Sequence, residues 1–192
     1  MRLIAITTPK VTDDDTLIIE RLLDKGVDTV HLRKPDSSID ECRELLAKLS
    51  AEHRARIVVH NYPELYEEFA LQGIHINRYV TTLPEDYRGL KSRSCHSLEE
   101  VVRYKDECDY LFLSPIFDSI SKSGYRSGYS HAELSKASAE GIIDERVVAL
   151  GGVTFDKIAY LRKLGFGGVA MLGAIYNIEA ADRIDDTMLT NL

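Results

Sequence analysis

The chain has 192 residues, 44% of them hydrophobic and 29% charged, with 12 Gly and 5 Pro, which excludes disordered, collagenous and low-complexity architectures. Its 24 Lys and Arg stand against 31 Asp and Glu, a formal charge of −7 that argues against general nucleic-acid binding, since that needs a basic face. Length and an unbroken composition point to one domain over residues 1–192. The cysteines Cys42, Cys95 and Cys108 are odd in number and form no CxxC pair, so they suit a reducing compartment. No run approaches the roughly 18 apolar residues of a membrane span. A cytoplasmic protein with neither membrane nor nucleic-acid partner is expected, and a homo-oligomer is compatible with the sequence.

A short run followed by an amphipathic one recurs about eight times. The short runs are Leu3–Thr7, Thr29–Leu32, Arg56–His60, Gly73–Ile76, Lys91–Cys95, Asp109–Leu113, Arg146–Leu150 and Gly168–Leu172. Most are rich in Val, Ile or Leu and read as buried parallel strands. Asp15–Lys25 has helical spacing and stops at Gly26, a suitable C-terminal cap. Ser38–Glu52 carries a stripe of Ile39, Cys42, Leu45, Leu46 and Leu49. Ser97 and Glu100 have the spacing of a capping box, and Thr154–Leu164 ends at Gly165. Asn77–Gly89 has the weakest helical pattern, so an irregular or very short helix is expected there. Eight βα units favour a closed (β/α)₈ TIM barrel over an open doubly wound sheet.

The polar residues then fall in a pattern. His31, His60, His75 and His96 sit in or just after four successive predicted strands, and barrels build active sites from the C-terminal ends of strands. Alternation puts His31 and Arg33 on one face, as it does His75 and Asn77. Imidazole gives and takes protons near neutral pH, so His31 and then His75 are the candidates for acid–base work, with a pH limb near neutrality. Arg33 and Lys34 add positive charge at the rim, Arg33 as a catalytic candidate and Lys34 as a phosphate ligand. His60, Asn61 and His96 are candidate substrate contacts. The segment Asp118–Ser130 is long and polar; it reads as a lid in which Ser119, Ser121 and Lys122 face an oxyanion, with Lys122 among the catalytic candidates. Two glycine turns follow the last two strands, at Gly151-Gly152 and Leu172-Gly173. Backbone N–H groups there are expected to bind phosphate. No metal ligands are assigned from these patterns.

The order and spacing of these motifs resemble the superfamily of thiamine phosphate synthase and the TenI-type thiazole tautomerases, single-domain (β/α)₈ barrels. The anchors are His31-Leu32-Arg33, Gly73-Ile74-His75, Ser94 to Glu100, Ser114-Pro115-Ile116-Phe117, Leu150 to Val153 and Met171 to Ile175. The likeness covers about Leu3 to Tyr176. It implies a role in thiamine biosynthesis: joining a pyrimidine methyl diphosphate to a thiazole phosphate with release of pyrophosphate. It also implies that Arg33, Ser119, Ser121 and Lys122 meet the diphosphate, and that Gly152 with Leu172-Gly173 holds the thiazole phosphate. The synthase reaction implies magnesium, yet Asn61 stands where one metal-binding aspartate is expected. Asn77-Arg78-Tyr79-Val80 offers no acid where the other belongs, and Pro35 replaces a lysine. His-x-Arg on the second strand is closer to the tautomerases, which need no metal. Pro115, however, occupies the position of their histidine. A metal-free tautomerase and a non-catalytic phosphate-binding barrel are therefore the alternatives.

Overall fold

A computed structural model describes residues 1–77, 80–117 and 128–184. Each short run of the sequence is a strand: β1 (Arg2–Ile6), β2 (Thr29–Leu32), β3 (Ile57–Val59), β4 (Gly73–Ile76), β5 (Leu90–Cys95), β6 (Tyr110–Leu113), β7 (Val147–Leu150) and β8 (Gly168–Met171). All pair in parallel in chain order, and β8 closes on β1 from Arg2↔Gly168 to Ala5↔Met171. The fold is a closed (β/α)₈ barrel.

Strand alternation sorts the apolar side chains into two cores. Leu3, Val30, Leu32, Leu111, Leu113 and Val169 point outward and pack with helix residues such as Leu22, Leu46 and Leu161. Ile4, Ile6, Tyr110, Phe112, Val148 and Ala170 point inward and fill the barrel. On β2, β4 and β5 the inward positions include polar residues: His31, His75, Ser92 and Ser94. Register places His75 beside Ser92, and Ser92 beside Tyr110. The interior thus has an apolar side and a polar side.

The helices are α1 (Asp15–Asp24), α2 (Ile39–Lys48), α3 (Ala51–Arg54), α4 (Leu65–Glu68), α5 (Leu98–Tyr104), α6 (His131–Ala139), α7 (Ile158–Lys163) and α8 (Ile178–Arg183). Gly26 follows α1 with φ 97°, as a C-terminal glycine should. The Ser38–Glu52 stripe is two helices. Leu49 leaves α2 in an extended conformation, and Ser50 opens α3 by accepting the His53 N–H. Ser97 caps α5 through the Glu100 N–H, but the Glu100 carboxylate takes the His96 N–H, so the box is not reciprocal. The Thr154–Leu164 segment starts as a 3₁₀ turn over Phe155–Lys157 before α7. Among the described residues no helix lies between β4 and β5. No described helix is long and apolar enough to cross a membrane.

Candidate active site

His31, His60 and His75 converge inside the barrel. They are the inward residues of β2 and β4 and the residue that follows β3. His31 is 0% exposed, His75 1% and His60 6%. The His60 and His75 rings stack 3.9 Å apart, and His31 meets both edge-on at 5.0 and 5.6 Å. His31 Nδ1 lies 2.7 Å from His60 Nε2, and its Nε2 lies 2.5 Å from the Tyr110 hydroxyl. The two nitrogens of His75 lie 2.8 Å from Ser92 Oγ and 2.9 Å from Ser94 Oγ. Phe112 forms the floor, 4.8 Å from His31 and 5.2 Å from His75. Tyr110, Ser92 and Ser94 were absent from the sequence candidates, although their alternate positions on β5 and β6 carry the signal.

Burial decides the charge of this pocket. Desolvation, with His75 as neighbour, holds the His31 pKa well below the usual imidazole value. Desolvation also lowers His60, helped by His75, His31 and Arg33. It brings His75 to about 3, with Arg93 and Arg33 adding to the shift. The three are neutral imidazoles at neutral pH. Burial thus makes His31 and His75, the residues expected to do acid–base work, weaker bases than a free imidazole. His96 stands apart from them, exposed, with Nδ1 3.2 Å from the Ser114 carbonyl.

Lys34 is not a rim cation. Its side chain is 1% exposed, and Nζ donates to Asp15 Oδ2 at 2.6 Å and to the Lys10 carbonyl at 2.9 Å. A lysine carried into the interior is stable only with such a partner. Asp15 also accepts the Thr12 N–H at 2.7 Å and the Tyr176 hydroxyl at 2.5 Å. This buried network ties the ends of β1 and β2 to the loop after β8. Arg33 is different: it is half-buried, and its guanidinium makes no hydrogen bond or ion pair among the described residues. Among the described residues it is a cation whose charge acts on both His60 and His75.

On the other side of the barrel the loops after β7 and β8 offer main chain. Gly151 has φ 93°, and a Cβ there would sit 2.8 Å from Pro115 Cα, so only glycine fits. Gly152 follows with φ 61°, its carbonyl held by Lys157 Nζ at 2.6 Å. The loop after Leu172 is closed by the Tyr176 N–H on the Leu172 carbonyl at 2.8 Å. The backbone N–H groups of Gly152, Val153, Gly173 and Ala174 make no hydrogen bond among the described residues. A Cβ on Gly173 would meet nothing within 4 Å, so that loop is open. Ser119, Ser121 and Lys122 lie outside the described residues, as does most of the segment expected to act as a lid.

Among the described residues, the donors on the loops after β3 and β4 do not fit magnesium, which takes one or two carboxylates. The loops after β3 and β4 present the amides of Asn61 and Asn77. Asn77 is engaged: Nδ2 donates to the His60 carbonyl at 2.7 Å, and Oδ1 accepts the Val80 N–H at 3.2 Å. Asn61 Oδ1 is buried without a partner, one neutral oxygen and no more.

These features define a (β/α)₈ barrel with a cationic side and a glycine-lined side at one mouth. The chain belongs to the family described as thiamine monophosphate synthase, whose model matches residues 3–175. It is 30% identical over 166 residues to a thiamine-phosphate synthase of Serratia proteamaculans (strain 568), covering 82% of this chain and 78% of that one. A crystal structure of thiamine phosphate pyrophosphorylase from Bacteroides thetaiotaomicron is 36% identical, with a TM-score of 0.89, over 100% of this chain and 97% of that chain. A thiamine phosphate pyrophosphorylase from Pyrococcus furiosus, 20% identical with a TM-score of 0.77 over 99% and 94%, shares the fold.

Proposed function

We propose that the protein is a synthase-type transferase of thiamine biosynthesis. It would join hydroxymethylpyrimidine diphosphate to thiazole phosphate and release pyrophosphate. The observation that carries this reading is the full-length likeness to the Bacteroides pyrophosphorylase at 36% identity. In the reaction the thiazole nitrogen forms a bond to the pyrimidine methylene carbon, and the carbon–oxygen bond breaks with its electron pair leaving on pyrophosphate. The free N–H groups of Gly152, Val153, Gly173 and Ala174 suit the thiazole phosphate, because preorganised amides cost no reorganisation. Arg33 would face the diphosphate, where negative charge grows as the bond breaks. The buried Asn61 Oδ1 lacks a donor, a deficit of about 1–3 kcal/mol that a substrate N–H or O–H would relieve. His60, His75 and His96 line the approach, and Ser119, Ser121 and Lys122 are assigned to the diphosphate by the same resemblance.

The tautomerase alternative needs a side chain that exchanges a proton near neutrality. Burial lowers the proton affinity of His31 and His75, which tells against these two residues in that role. The test is to incubate the pure protein with both substrates, with and without magnesium, and to measure pyrophosphate. Release that requires both substrates supports the reading. Tight thiazole phosphate binding without release overturns it in favour of a binding barrel or an isomerase. Gly152→Asp is the sharpest variant. Asp tolerates φ 61°, so the fold should survive. Its charge in the cradle should weaken thiazole phosphate binding by on the order of 100-fold or more.

A further inference from the structure

We propose that His31, His60 and His75 form a site for one divalent transition-metal ion of the zinc type. Each would bind through one ring nitrogen, with the fourth position facing the barrel mouth. The reading does not rest on the transferase proposal, although it shares His60, His75 and Arg33 with it, because metal binding is read without substrate.

The candidate ligand nitrogens of these three residues all lie within 4.8 Å of one another. His31 Nδ1 and His60 Nε2 already face each other at 2.7 Å. Opening that pair to roughly 3.3 Å admits an ion bonded at zinc–nitrogen distance to both. His75 stacks on His60 at 3.9 Å and must turn only one nitrogen toward the ion. Three imidazoles suit zinc, cobalt or nickel and not magnesium, so this site differs in kind from a carboxylate site. Two of the three histidines already have the partner that a metal-binding histidine requires on its other nitrogen. Tyr110 sits on the far nitrogen of His31, and Ser92 on Nδ1 of His75, which fixes ring orientation. Ser94 Oγ is then the contact that His75 Nε2 exchanges for the ion. The route in is from the mouth, where His60 retains 6% exposure. The Arg33 guanidinium stands near enough to oppose positive charge on His60 and His75. It therefore weakens cation binding and would draw an anion to the open fourth position.

The experiment titrates Zn²⁺ alone into the full chain after chelator treatment, with a chromophoric chelator as competitor. One ion per chain is expected. His60→Ala should lose at least 100-fold in affinity, whereas His53→Gln and His96→Gln should leave it unchanged. Arg33→Gln should tighten binding several-fold, more at low salt. Co²⁺ loading of the unaltered protein should give the intense visible bands of a four-coordinate nitrogen site, which decides the matter if His60→Ala fails to fold by circular dichroism. Binding of less than one ion per chain, equal affinity in a folded His60→Ala, or only the weak bands of six-coordinate Co²⁺ would overturn the proposal.

Discussion

The imidazole pocket and the glycine cradle share one mouth and are built in opposite ways. On β2 to β6 the barrel presents side chains: three imidazoles, two serine hydroxyls and a tyrosine, with Phe112 packed against His31, His75 and Tyr110. On β7 and β8 it presents main chain, and what matters at Gly151, Gly152 and Gly173 is that a side chain is missing. Packing and desolvation govern the first region, so changes there act on stability and on protonation. Backbone geometry governs the second, so changes there act on what can approach. A barrel allows both at once because each strand end carries its own loop on a common rigid frame.

The largest test of that contrast is Phe112→Ala. The ring is 0% exposed and forms the floor under His31 and His75. Its loss should cost about 3–5 kcal/mol in denaturant unfolding. Affinity of the cradle for a phosphate ligand should hold in the fraction that remains folded. A loss below about 1 kcal/mol would show a loosely packed pocket and break the contrast.

Acid should act next, and between pH 7 and 5 it should act first on the pocket. The folded chain keeps His31, His60 and His75 neutral, so the unfolded chain binds more protons below its ordinary imidazole pKa. Their lowered values leave stability intact above about pH 6.5. Below it, stability falls by up to roughly 1.4 kcal/mol per pH unit for each histidine. The decline for His75 ends near its folded value of about 3. Unfolding free energies measured in chelator at pH 7, 6 and 5 check this, and a flat profile would contradict it.

The smallest effects separate two glycines within the cradle. Gly151→Ala drives a Cβ to 2.8 Å from Pro115 Cα at φ 93° and should cost about 1–3 kcal/mol. Gly173→Ala enters open space and should change stability by less than about 0.5 kcal/mol. Thermal melts of the two variants read the difference directly. Equal shifts would mean that the two loops do not differ in packing.

The eight strands, their order and the barrel were legible in the amino-acid sequence. A buried parallel strand declares itself locally, as Leu3 to Ile6 or Val147 to Leu150 do, and a helix such as Asp15–Asp24 does so by period. The glycine turns were legible too, because a backbone site needs no distant partner to be recognised. The break of one helix at Leu49 was less so, although Ser50 carried the capping signal.

What the tertiary structure alone decided was which polar groups meet. Four histidines occupied similar places along the chain, yet closure of the barrel brought His31, His60 and His75 into ring contact and left His96 outside. Lys34 looked like a rim cation until folding placed it on Asp15, 19 residues away, beneath Tyr176 from the far end of the chain. Alternation along a strand assigns a side chain to a face, but the stagger of eight strands around a closed barrel sets its depth. Depth sets desolvation, and desolvation holds His31 and His75, the two candidate proton carriers, in the neutral form.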